Sequence, residues 1–217
     1  MIIKGSALIL IYIGAVAVWA EPGPRSLRLI AVHPTYYYDV KETVQADEPL
    51  RKLVAEFQAK DYSVVSLVEP DIDLLATSCT EPRHCGLNYS TYLPGIEKTR
   101  IVESSQGENR IIIYPGETLV LAGGYFELCF KKAFWDLMLN ALGMDIQVVF
   151  YLPAIYFAQP PRHNDLFTKL ADFFSEYLDL RPHLNLKVKL QLGLRERTFG
   201  RGGKHVTVRV VNDLNKI

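Results

Sequence analysis

Two rhythms of apolar positions alternate along this chain: short unbroken runs, and spacings of three or four. Leu27–Val32 (LRLIAV), residues 62–68 (YSVVSLV), residues 118–122 (TLVLA) and residues 146–152 (IQVVFYL) are unbroken runs, the pattern of strands covered on both faces. Between them, residues 49–60 set Leu50, Leu53, Val54 and Phe57 on one face with charges opposite, which predicts an amphipathic helix capped by Asp47 with Pro49 in its first turn. A second helical spacing follows Gly123-Gly124 and takes in Phe126, Phe130, Ala133, Phe134, Leu137, Met138 and Ala141. A third covers residues 163–178, with Leu166, Leu170, Phe173, Phe174 and Tyr177 inward. Strand, helix and strand in this order predict right-handed crossovers and a parallel sheet.

The tail has a different rhythm. Leu186, Val188, Leu190, Leu192 and Leu194 alternate with mostly polar residues, and so do Val206, Val208 and Val210. With Gly200-Arg201-Gly202-Gly203 between the two stretches, the simplest reading is an antiparallel hairpin over residues 186–211 with one solvated face. The whole pattern predicts an α/β fold: a three-layer sandwich with a mostly parallel central sheet flanked by helices, plus that C-terminal hairpin. Residues 71–110 are less patterned, with a short strand expected within 96–102 around Lys98.

The amino terminus stands apart. Lys4, an apolar run over residues 7–18 and the small residue Ala20 ahead of Glu21 describe a secretory signal peptide over residues 1–20. The run is shorter than the roughly 20 apolar residues of a spanning helix, so no membrane contact is expected after cleavage. Residues 21–217 then form a single exported domain, periplasmic or secreted. Basic and acidic residues number 24 each, and no stretch is basic enough for a nucleic-acid footprint. Export changes the reading of the three cysteines. Cys79 and Cys85 flank a turn-rich segment and would close a small loop as a disulfide, which leaves Cys129 as the thiol. A zinc site from Cys79, His84 and Cys85 lacks a paired CxxC spacing and a fourth ligand, so no metal is expected. Asn88-Tyr89-Ser90 is a glycosylation sequon if the host is eukaryotic.

Candidate chemistry gathers where a buried strand runs through Gly123-Gly124 into a helix. The glycines allow a sharp turn, and Cys129 falls early in the helix, where the positive end of the dipole favours a thiolate. The plain alternative is a small core residue, the commoner fate of a buried cysteine. His33 closes the first strand ahead of Pro34, at the edge where open parallel sheets bind ligands. Tyr36, Tyr37 and Tyr38 follow, then Asp39; the tyrosines either wall a pocket or cover the sheet edge.

The segment GGYFELC, preceded by LVLA and followed by IQVVFYL, resembles the nucleophile segment of the isochorismatase-like cysteine hydrolases, in which the cysteine follows a glycine by six residues. The resemblance runs from the first strand to Leu152, and Gly95-Ile96-Glu97-Lys98-Thr99-Arg100 is similar to the family's lysine segment. It implies a hydrolase of small amides or related compounds, without a cofactor, in which Cys129 is the nucleophile and Lys98 supports developing charge. The family's aspartate at the end of the first strand is replaced by Val32-His33-Pro34, which leaves His33 or Asp39 as candidate base. That replacement also supports the alternative: an inactive member of the fold that binds a small ligand or a protein partner. Gly123, Gly124 and Tyr125 with the helix amides would then hold an anion, beside Tyr37. The chain is also a candidate homo-oligomer.

Overall fold

The structure is a computed structural model that describes residues 27–32, 41–68, 97–100, 113–140, 144–157, 165–181 and 183–217. The expected leader over residues 1–20, His33, Tyr37, Asp39, Cys79 and Cys85 with their expected disulfide, and the sequon at Asn88 all lie outside the described residues. Among the described residues, eight strands form one sheet: β1 (Leu27–Val32), β2 (Ser63–Val68), β3 (Glu97–Arg100), β4 (Thr118–Gly123), β5 (Ile146–Tyr151), β6 (Leu186–Leu192), β7 (Arg195–Gly200) and β8 (Lys204–Val211). Their spatial order is β3-β2-β1-β4-β5-β8-β6-β7. All neighbours are parallel except β6 and β7, so the α/β sandwich with a mostly parallel sheet and an antiparallel C-terminal hairpin is present.

Alternate residues of each central strand feed opposite cores. Leu29, Ala31, Val120, Ala122 and Val149 face α1 (Lys41–Ala59), where Leu50, Leu53, Val54 and Phe57 supply the matching apolar stripe. Ile30, Val32, Leu119, Leu121, Val148 and Phe150 face the opposite layer, made by α2 (Lys131–Asn140) and α3 (Leu166–Asp179). Because both faces of β4 are covered, all six of its residues are buried, which is why its sequence shows no alternation. Helices on opposite faces are what right-handed crossovers require when β1 leads outward to β2 and β4 leads the other way to β5.

Three expectations are corrected. The first helix begins at Lys41, well before residue 49, and Pro49 lies inside it. Ala46 and Leu50 are both buried and continue the stripe across the proline, so packing outweighs the one N–H that Pro49 cannot donate. The helix after Gly124 opens as a π-turn, Phe126–Phe130, before α2. Its signature is the Phe130 N–H donated to the Tyr125 carbonyl five residues back, at 3.0 Å. In the tail, the stretches around Val188 and Val208 are neighbours, but they run parallel. The hairpin is instead β6–β7, turning at Gly193-Leu194, and β8 slots between β5 and β6.

At the amino rim of the sheet, Arg28 on β1 donates to Glu117 at 2.8 Å, and Glu117 also accepts the Tyr114 N–H at 3.1 Å. Burial pushes the Glu117 carboxyl above its ordinary 4.5, because lost hydration outweighs the Tyr114 N–H and the Arg28 charge that pull it down.

Candidate functional site

The carboxyl ends of β1 and β4 are adjacent, with Val32 in register with Gly123. From these two strands the chain departs to opposite sides of the sheet, which makes this the topological switch point where open α/β sheets form a binding crevice. Gly123 and Gly124 carry the chain over that rim with φ of 79° and 71°. A Cβ on Gly123 would lie 2.5 Å from the Val32 carbonyl oxygen. One on Gly124 would lie 2.9 Å from Val32 Cγ1 and 3.1 Å from Cys129 Sγ. The paired glycines therefore let the strand end and the cysteine both pack against the turn, which no other residue type at these positions would permit without a shift.

Cys129 sits in the π-turn, 9% exposed, in the same apolar cluster as Phe126, Phe130 and Ala133. Its sulfur accepts the Tyr125 N–H at 3.1 Å. A segment after β5 clamps the turn from outside: Tyr156 donates its N–H to the Gly124 carbonyl at 3.0 Å and accepts the Phe126 N–H at 2.7 Å. Tyr125 and Tyr156 form a parallel bridge beyond the ends of β4 and β5. The amides of Tyr125 and Phe126 are thus already committed within the protein, the first to sulfur and the second to Tyr156. Farther along the turn, Glu127 pairs with Lys169 of α3 at 2.5 Å, and the Lys169 ammonium lies over the Phe157 ring at 5.4 Å. This ties the cysteine-bearing turn to the helix layer.

Of the residues singled out in the sequence, Gly123, Gly124, Tyr125 and Cys129 come together at one rim. Lys98 lies on the edge strand β3, in register with Ser66 of β2. Its backbone is three strand positions from β4, about 14 Å at the usual strand spacing. Tyr156 and the Glu127–Lys169 pair were not evident from the sequence; a local pattern carries no signal for partners 42 residues apart. Among the described residues, no group of three or more His, Cys, Asp or Glu is placed to hold a metal ion, and no helix is long and apolar enough to cross a membrane. In comparisons with known proteins, no family model, no curated protein and no solved structure matches the chain.

Proposed function

We propose that the protein is an exported cysteine hydrolase of small amides or related compounds, of the isochorismatase-like type, with Cys129 as its nucleophile. The observation that carries this reading is the place of the sulfur, packed against the glycine turn at the β1–β4 switch point with the Tyr125 N–H donated to it at 3.1 Å. A donor on sulfur suits the charge a thiolate carries as it attacks, and π-turns recur at functional positions.

In the proposed reaction the thiol proton passes to His33 or Asp39, and the thiolate forms a C–S bond to the amide carbon. Lys98 supports the charge that develops on the carbonyl oxygen. Collapse of the tetrahedral intermediate breaks the C–N bond, and the base returns the proton to the departing amine. Water then cleaves the thioester, which releases the carboxylic acid and restores the thiol.

The test is the rate at which iodoacetamide alkylates the peptide containing Cys129 in the folded protein, followed to about pH 8. Reaction on the folded protein, together with turnover of primary amides that is lost in Cys129→Ser, is the expected result. A cysteine that is labelled only after unfolding would rule out the hydrolase. The burial of Cys129 in the apolar cluster favours a second reading, an inactive member of the fold that binds a small ligand or a protein partner.

A further inference from the structure

Among the described residues β7 pairs with β6 alone, so it forms an edge of the sheet. On such a strand every second residue directs its N–H and C=O away from the sheet, where a further strand can pair with them. The strand is anchored from the α3 side through Phe199, which is buried with its ring 5.7 Å from that of Phe174. Arg195, Glu196, Arg197 and Thr198 are all exposed. The edge is therefore both preformed and open to solvent.

The two faces of this edge differ in charge. Arg195 and Arg197 are in register with Leu192 and Leu190 of β6, on the face that α3 covers. Residues two apart on a strand share a face at a spacing of about 7 Å. Each guanidinium rests on a ring, Arg195 at 4.2 Å from the Phe167 centroid and Arg197 at 5.1 Å from that of Phe199, which holds the charge in place and leaves N–H groups able to donate. Among the described residues, neither arginine is in an ion pair. On the other face Glu196 already pairs with Lys189 at 2.9 Å. An incoming strand thus meets two uncompensated positive charges two residues apart, the repeat of carboxylates at alternate positions of an extended peptide. A second copy of β7 fits poorly: laid antiparallel about Glu196 it sets Arg195 opposite Arg197, and about Arg197 it sets that residue opposite its own copy.

We infer that the β7 edge receives an extended acidic segment of a partner protein, which adds to the sheet as a further strand with carboxylates at alternate positions opposite Arg195 and Arg197. Main-chain hydrogen bonds hold the segment, and the two arginines select it. The inference is independent of Cys129 and its chemistry. The test is a titration of the nitrogen-15-labelled protein, at low ionic strength, with the blocked peptide acetyl-Thr-Glu-Thr-Glu-Thr-Glu-Thr-amide and with its counterpart carrying glutamine for glutamate. The expected result is saturable shifts of the β7 amides, with the glutamate peptide bound about tenfold more tightly than the glutamine peptide and that preference lost in the double variant Arg195→Gln/Arg197→Gln. The comparison of the two peptides on the parent protein needs no variant, so it decides the matter should the double variant unfold. No saturable binding, equal affinity for the two peptides, a preference unchanged in the double variant, or shifts that leave the β7 amides unmoved would each overturn the inference. Shifts of the β7 amides with concentration of the protein alone would also overturn it, because the edge would then belong to a second copy.

Discussion

Replacing Gly123 by alanine probes the turn that delivers the cysteine to the sheet rim. Two costs combine there, and Gly116 allows them to be separated. Both residues have nearly the same backbone conformation, φ 76° at Gly116 and 79° at Gly123. A Cβ on Gly116 meets nothing within 4 Å, whereas one on Gly123 lies 2.5 Å from the Val32 carbonyl oxygen. Gly116→Ala therefore registers the left-handed conformation alone, about 1 kcal/mol. Gly123→Ala adds a clash with backbone that is fixed in register by the β1–β4 ladder and cannot rotate away as a side chain would. Overpacking of this kind costs about 1–3 kcal/mol more, for a total of about 2–4 kcal/mol. Urea denaturation followed by circular dichroism, with both variants measured against the parent protein, reads the difference. A Gly123→Ala variant no less stable than Gly116→Ala would refute the reasoning, because the approach of the two strand ends would then not depend on glycine.

Two further outcomes follow from the core and the amino rim. Phe134 is fully buried and its ring meets those of Trp135, Phe150, Phe173 and Phe174, so Phe134→Ala should cost about 3–5 kcal/mol, and a urea midpoint unchanged from the parent's would contradict that packing. Glu117 has a folded pKa raised above 4.5, so its contribution to stability is complete below that value and is lost as the pH rises through the raised folded value. The stability of the parent relative to Glu117→Gln should accordingly be greater at pH 4.5 than at neutral pH, and equal differences at the two would show that burial does not govern this carboxyl.

How far the fold could be read from the sequence depended on the kind of information each element carries. The runs in β1, β4 and β5 are apolar on both faces, a property of the strand itself, and their parallel order follows from the intervening helices. In the tail, alternation at Val188 and Val208 shows which face is buried but says nothing of direction. Gly200-Arg201-Gly202-Gly203 was a stronger turn signal than Gly193-Leu194, and the charged Arg195-Glu196-Arg197 gives little sign that it begins a strand. The π-turn escapes notice because Phe126 and Phe130 keep helical spacing whichever hydrogen-bond ring closes between them. At the site, the Gly123-Gly124 turn and Cys129 are contiguous in sequence and were legible together. The Tyr156 clamp and the Lys169 partner of Glu127 come from later elements and became visible only through the tertiary arrangement.

The position of β8 has a consequence for assembly. Among the described strands, β1 to β5 form one hydrogen-bonded block and β6 with β7 another, and within the sheet the ladders on either side of β8 join them. Losing that keystone would leave two raw edges facing an empty slot wide enough for one extended chain. A foreign peptide or the same segment of a second molecule would find donors and acceptors already aligned there, so domain exchange through this slot is a misassembly the architecture leaves open.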